Sequence, residues 1–403
     1  MLEAVGKGRM SIRLKIRLIF TIQKLTLRMS SAVFNAIQYY QSKDSLEFDW
    51  VIGTDEVVNL IDRLGKVTPK SFTVCLGRNS FFELNYCYQT QQKRVKFFDK
   101  ALKIFEGPVL LGRLISKSNG FIYLGTEGFL ISRIDRREYE FNFLKKHRKK
   151  IVCILTGTDI RSPQKCIEFT KNTGKETFSE YQIWRDASFA SPAYEQEKKD
   201  IARVIDSHAN LVFNWRHDQA SYLTAPTFPL PFFCHEDYFK KDLSEKFRSN
   251  ETIVISHCPS DPIIKGTAVV RSVIEMLKSE GFIFEYVELQ GVSNYEVIEL
   301  LERTHILINQ LYALAPGVLT IEGLAHKCAV LTSADPRFEE LGADSRDAWV
   351  TVTPGNLYAQ VKRLLLNPDQ IESQAIQGWT WALANASEVT GGMRFRDILS
   401  FIE

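Results

Sequence analysis

The stretch TIVISHCPSDPIIKGTAVVRSVIEMLKSEG, residues 252–281, decides the fold. Its first five residues, TIVIS, are apolar and β-branched, which reads as a buried strand. The chain then turns through His257-Cys258-Pro259-Ser260 and reaches Lys265-Gly266-Thr267. From there apolar residues recur at helical spacing through AVVRSVIEMLKSEG. Strand, polar turn and helix in that order make one unit of a parallel sheet with crossover helices. The turn also poses a chemical question. A lysine where a helix begins adds charge to the positive end of the helix dipole, a place that suits an anion. An ordinary capped helix start accounts for the same residues without any ligand.

The rhythm repeats on both sides. Downstream, strands are expected at 284–289, 305–309, 328–333 and 349–353, with helices at 266–280, 294–303, 318–327 and 356–366. Upstream, strands are expected at 49–53, 71–77, 121–125, 151–157 and 210–215, separated by helical stretches such as EVVNLIDRLG and REYEFNFLKKHRKK. This alternation predicts an α/β protein of two doubly wound, Rossmann-like domains. The segment PTFPLPFFCHEDYF, 226–239, carries three prolines and fits neither a helix nor a central strand, so it reads as the hinge. The expected organisation is a basic amphipathic segment at 1–40, an N-terminal domain at 41–235 and a C-terminal domain at 236–375. Helices anchored by Trp379 and Trp381 follow at 376–403, folding back toward the N-terminal domain.

Size and composition agree. A chain of 403 residues suits two domains, and 45% hydrophobic with 25% charged residues is ordinary for a folded protein. A net charge of +3 is too small to point to nucleic acid as a partner. The seven cysteines form no C-x-x-C pair, which argues against a disulfide framework or a zinc site and for a reducing, cytoplasmic setting. No run of 18 apolar residues predicts a membrane span, and the N-terminus does not read as a signal peptide.

Charge is nevertheless concentrated at the start. Residues 7–28 hold Lys7, Arg9, Arg13, Lys15, Arg17, Lys24 and Arg28 with no acid among them. The stretch 12–18 alternates polar and apolar, which is a strand signal. Beyond it, Leu18, Ile22, Leu25, Met29 and Val33 form an apolar helical stripe beside the stripe of cations. Such a helix suits an anionic membrane surface, and it also suits packing on its own domain with a solvated basic edge. The run 145–150, KKHRKK, reads as a solvated helix end that complements the dipole.

Two more loops carry candidate chemistry, because ligands of doubly wound sheets bind beyond the carboxyl ends of the strands. After HILINQ comes LYALAPGVLTIEGLAHKCAVLTS, 311–333. Pro316-Gly317 closes that loop, a helix opens near Val318, and Glu322 falls one turn in. The helix start suits phosphate and the carboxylate suits vicinal hydroxyls, while an acid there also simply complements the dipole. In the first half, strand 151–155 ends in TGTDIR, where Asp159 suits a sugar hydroxyl and Arg161 a phosphate or carboxylate. A helix cap by Asp159 is the plain alternative.

Together the loops HCPSDPIIKGT, LYALAPGVLTIEGLAHKCAVLTS and TGTDIR resemble those of GT-B glycosyltransferases, specifically the large retaining family 4 with its group 1 transferase domain. The resemblance is strongest over 250–370. It implies a C-terminal domain that holds a UDP- or GDP-linked sugar and an N-terminal domain that holds a glycan or lipid-linked glycan acceptor. It implies that Lys265 and Glu322 carry the donor chemistry. Lys265, Gly266, Gly317, Val318 and Thr320 would surround the diphosphate, with His257 or Ser260 in place of an arginine, and Glu322 would hold the ribose. Gly157, Asp159 and Arg161 would face the acceptor. It implies no cofactor and no metal, and a role in surface polysaccharide synthesis on the inner face of the membrane. The sequence departs from the family pattern at Leu314, where the family's first paired glutamate would fall, at Thr156, where a histidine is common, and at Pro259, where an arginine is common. A nucleotide-sugar epimerase of the same fold, using His257 and Asp261, and a non-catalytic nucleotide-sugar or membrane-binding protein remain as alternatives.

Overall fold

The computed structural model describes residues 2–40, 46–77, 86–90, 96–247, 252–341 and 345–402. The side chains of Lys7 and Arg9, the expected domain start at 41 and the expected chain end at 403 lie outside the described residues.

Two parallel sheets form the protein. The first holds β1 (Phe48–Gly53), β2 (Ser71–Cys75), β3 (Tyr88–Gln89), β4 (Ser118–Leu124), β5 (Lys150–Ile154) and β6 (Leu211–Phe213), in the order β3-β2-β1-β4-β5-β6. The second holds β7 (Val254–His257), β8 (Glu285–Glu288), β9 (Ile306–Ile308), β10 (Ala329–Thr332) and β11 (Val350–Thr351), in the order β11-β10-β9-β7-β8. Every paired strand runs parallel to its neighbour. The runs VCI of β5, VIS of β7 and AVL of β10 are buried throughout, because helices cover both faces of each sheet. Strand order reverses between β1 and β4 in the first sheet and between β7 and β9 in the second, which places a ligand crevice beyond the ends of those strands.

The first domain's helices are α1 (Leu2–Tyr40), α2 (Leu60–Val67), α3 (Lys96–Ile115), α4 (Glu138–Lys146), α5 (Pro163–Thr173), α6 (Ser179–Arg185) and α7 (Pro192–His208). After the short α8 (Glu236–Lys240) come α9 (Pro262–Lys265), α10 (Thr267–Ser279), α11 (Asn294–Arg303), α12 (Val318–Ala325) and α13 (Leu357–Leu366). The chain ends in α14 (Pro368–Ala386) and α15 (Glu388–Leu399).

Three expectations change. The alternating stretch 12–18 is helix, because the partner of this segment is α3 and no strand. Phe20, Gln23, Leu27 and Ser31 return at helical spacing and are buried, whereas Leu18, Thr21, Leu25 and Met29 face outward. Gly112 of α3 permits the approach, since a Cβ there would lie 2.8 Å from the backbone nitrogen of Ser31. Strand β3 was not legible, being two residues long. The expected boundary at 375/376 falls inside α14, one unbroken helix.

The chain crosses between domains twice, and the crossings are pinned side by side. Cys234 donates its N–H to Ala386 (2.7 Å), and Glu388 donates to Cys234 (2.8 Å). Beyond this point α15 packs on α2 of the first domain, with Phe395 stacked on Phe213 at 5.1 Å between centroids and Arg396 bonded to the Val67 carbonyl at 2.7 Å.

Candidate active site in the interdomain cleft

The loops after β1, β5, β7 and β9 converge on one cleft of 370 Å³ between the domains. Val58, Arg63, Gly157, Arg161 and Phe178 line it from the first domain, and Lys265, Gln310, Gly317 and Val318 from the second. A larger cavity of 710 Å³, lined by Lys165, Arg216 and Glu339 among others, holds no switch-point loop of the second domain.

The second domain's wall is built by short-range rules. Asp261 caps α9 by accepting from Ile263 (3.1 Å) and Ile264 (3.2 Å). Gly266 then takes φ +78, ending α9 and starting α10, so Lys265 stands at the break with its side chain in the cleft. Across the crevice, Asn309 and Gln310 end β9 and reach back over their own loop. Asn309 donates to Thr320 Oγ1 (2.7 Å) and Gln310 to the Ala315 carbonyl (2.7 Å). Lys265 donates to Gln310 Oε1. Gly317 precedes α12 at φ +75 and ψ 164, and no side chain caps the helix. The first N–H groups of α12 therefore have no intrahelical partner and no side-chain acceptor, at the positive end of a helix that borders the cleft. Burial lowers Lys265 to about 8, with Asp218 opposing that shift and Arg161 adding to it.

Several expected site residues are turned elsewhere. His257 is fully buried, with Nδ1 against the Ile308 carbonyl (2.8 Å) and Nε2 against Thr267 Oγ1 (2.9 Å). Its place at the donor is therefore corrected to a brace between β7, β9 and α10. Thr320 is also corrected, because its hydroxyl donates to Pro316 (2.6 Å) and accepts from Asn309 inside the domain. Ser260 is exposed and does not line the cleft. Gly266 faces Leu311, where a Cβ would lie 2.8 Å from a methyl carbon. Glu322 is buried behind the wall, with Asn294 Nδ2 at 3.4 Å. Burial raises its carboxyl to about 6, against the pull of the Arg63 charge.

On the first domain's wall, Gly157 and Arg161 line the cleft. Asp159 is corrected from acceptor contact to loop closure. Its carboxylate accepts from the backbone of Thr156 (2.9 Å), Gly157 (2.8 Å) and Ile160 (2.9 Å). Arg161 lies over the Phe178 ring at 3.7 Å and forms a buried pair with Asp218 at 2.8 Å.

Asp218 is the residue that sequence reasoning missed. Its second oxygen accepts from the N–H groups of Leu314 (2.7 Å) and Ala315 (3.2 Å) in the other domain. A carboxylate from the first domain thus meets the backbone at the position where the family pattern expects its own acid. Glu339 binds the backbone of His217 (2.7 Å), Tyr181 stacks on Tyr312 at 3.7 Å, and Lys175 pairs with Asp335 at 3.5 Å, so the domains are clasped around the cleft. Arg63 and Gln310 were missed as well. A signal existed for Asp218 and Gln310, which follow β6 and β9, but none for Arg63 on α2.

Two Rossmann-like domains facing a cleft, with a C-terminal helix returning to the first, define the GT-B fold. Comparison with solved structures bears this out. Anabaena HepE, solved with UDP and glucose, superposes with a TM-score of 0.53 at 11% identity, covering 88% of this chain and 99% of that one. Sucrose-phosphate synthase from Thermosynechococcus elongatus gives 0.53 at 10% identity, over 88% and 99% of the two chains. WaaG, a glycosyltransferase involved in lipopolysaccharide biosynthesis, gives 0.52 at 9% identity, over 87% and 99%. No protein-family model and no curated protein sequence matches the chain.

Proposed function

We propose that this protein is a glycosyltransferase that uses a UDP- or GDP-linked sugar. The observation that carries this reading is the uncapped start of α12 beside Lys265 and Gln310 at the second domain's switch point. A nucleoside diphosphate matches it, because it is the anion that leaves when the sugar transfers. The free N–H groups and the lysine favour the leaving group more as its charge develops, which lowers the barrier. The GT-B neighbours, one solved with UDP and glucose, support the same class. In this reading the departing phosphate accepts the acceptor's proton on the donor's own face, giving retention without an enzymic nucleophile or a metal. Arg161 with Gly157 borders the acceptor. The acceptor is a glycan or lipid-linked glycan of surface polysaccharide synthesis, reached by the protein as a peripheral partner of the inner membrane face. No helix of the described residues is long and apolar enough to cross a membrane.

The test is thermal shift with UDP, GDP, CMP and ADP, for the native chain and for Lys265→Met. A ligand that binds only the folded state raises the melting temperature. A shift with UDP or GDP that Lys265→Met reduces is expected, and the absence of a shift with any nucleotide overturns the reading. The buried, apolar Leu314 favours one second reading, a module that binds nucleotide-sugar without transfer. Nucleotide binding with no sugar transfer or donor hydrolysis would select it.

A further inference from the structure

A second polar cavity, of 450 Å³, lies in the first domain beyond the end of β4. Arg133, Arg136 and Arg137 line it with Glu127, Glu197 and Ser132. Arg136 meets Glu197 at 3.3 Å, and Glu127 accepts from Ser132 Oγ at 2.8 Å. Three guanidiniums and two carboxylates line the cavity. The charge of Arg137 is also met by the buried Glu140 behind it, and the nearby Asp135 is taken up by backbone N–H groups at Tyr139 (2.9 Å) and Arg137 (3.2 Å).

Arg137 is the unusual member. It is only 2% exposed, lies 5.2 Å from the Tyr123 ring centroid and 4.8 Å from that of Phe141, and donates through Nη1 to the Glu127 carbonyl at 3.2 Å. Its Nε has no hydrogen-bond partner among the described residues. A buried guanidinium with an unused donor is costly unless something completes it. An oxyanion is the natural complement, since the planar fork of arginine matches phosphate oxygens.

Position selects the kind of phosphate. On one side the cavity's rim is tied to α1, where Ile131 donates to Gln23 (2.9 Å) and Arg28 to the Tyr139 hydroxyl (2.9 Å). The outer face of α1 exposes Leu14, Leu18, Leu25, Met29 and Val33, each more than half accessible, with Arg13, Arg17, Lys24 and Arg28 along its flank. No acid occurs between Glu3 and Asp44. That face complements an anionic lipid surface. On the other side, Lys198 follows Glu197 and donates to the carbonyls of Thr158 (2.6 Å) and Asp159 (3.0 Å), and Thr158 lines the interdomain cleft. The arginine cavity therefore stands between a lipid-facing helix and the cleft.

We propose that this cavity binds the phosphate groups of a lipid-anchored acceptor, with the lipid chain running toward the outer face of α1 and the sugar toward the cleft. The inference rests on the glycosyltransferase reading for the cleft but has its own test. The full-length chain is titrated calorimetrically with farnesyl diphosphate, a short isoprenyl diphosphate, and separately with inorganic pyrophosphate. Arg133→Gln/Arg136→Gln removes two surface-accessible guanidiniums and spares the buried Arg137. Loss of these charge-assisted bonds is expected to weaken farnesyl diphosphate at least about 10-fold, with the UDP-induced thermal shift unchanged. Arg133→Gln alone should weaken it by a smaller factor. Undiminished binding by the double variant, or no binding by the native chain, overturns the proposal. Pyrophosphate binding as tightly as farnesyl diphosphate overturns the lipid source and leaves a free-phosphate site. If farnesyl diphosphate binds at this site but no nucleotide shifts the melting temperature, the cleft reading fails and the phosphate site stands.

Discussion

Two loops face each other across the cleft, and they treat their backbone donors in opposite ways. The loop from β5 to α5 is closed on itself. Asp159 takes three of its N–H groups, and Ser162 caps α5 by accepting from Lys165 at 3.1 Å. The loop from β9 to α12 ties up its carbonyls instead, at Ala315 and Pro316, through the side chains of Gln310, Asn309 and Thr320. It leaves the start of α12 without a side-chain acceptor. The first arrangement is a finished wall. The second is an anion site waiting for charge from outside the domain. In the proposed function, recognition of a diphosphate falls to the second domain, and the first domain contributes shape and the Arg161 edge.

Asp218 joins the two loops, so removing it gives the largest expected effect. Arg161 is 5% exposed and would lose its carboxylate, while Leu314 and Ala315 would lose the acceptor for their N–H groups. Breaking one side of a buried pair costs about 3–5 kcal/mol, because the remaining charge is stranded. Asp218→Ala should lower stability to chemical denaturant by that amount. Asp218→Asn keeps an oxygen for the two N–H groups but strands the Arg161 charge all the same, so it should recover only the backbone part, about 1 kcal/mol. A loss below about 1 kcal/mol for the alanine variant would show that water replaces the carboxylate and that the clasp is weak.

The same contrast explains what was legible beforehand. The strands were readable because both faces of each sheet are covered, which turns IVCIL and TIVIS into unbroken apolar runs. The course of the second-domain loop was readable because Pro316-Gly317 closes it and α12 opens directly after the glycine. The direction of side chains was not. His257, Thr320 and Asp159 have the types that bind ligands, and all three bind their own backbone or a neighbour instead. Composition cannot separate a hydroxyl that braces a loop from one that meets a sugar, because both make the same hydrogen bonds. Arg63 reaches the cleft from α2 because α2 packs beside β1 and α15, a long-range fact that no local pattern carries.

A second, smaller effect separates the two walls by pH. Burial depresses Lys265 to about 8, whereas an unfolded lysine titrates near 10.5. The charged form is the one a diphosphate prefers, so a bound nucleotide raises this value. Affinity for UDP should be full below about pH 8 and fall about tenfold per unit above it, until the value in the complex is reached. Unliganded stability should move the other way, since the unfolded chain binds the extra proton between about 8 and 10.5 and stability rises with pH there. Calorimetry from pH 7 to 9 checks the binding limb. Lys265→Met should flatten it, and a slope that persists in that variant would move the titrating group elsewhere.

The smallest effects are the most diagnostic, because they touch one loop each. Asp159→Ala frees three half-buried N–H groups and should cost about 1–2 kcal/mol of stability, while UDP affinity stays within about twofold. Gly317→Ala should cost a comparable amount for a different reason. There is room for the methyl group, with Gln310 Nε2 no nearer than 3.5 Å, so the penalty comes from φ +75 alone. The backbone relieves that strain by rotating, and the rotation redirects the first N–H groups of α12. UDP should therefore weaken about tenfold in this variant, as expected for losing one charge-assisted contact. Equal losses of affinity in the two variants would erase the distinction between the walls, because the β5 loop would then be shaping the anion site as much as the helix it faces.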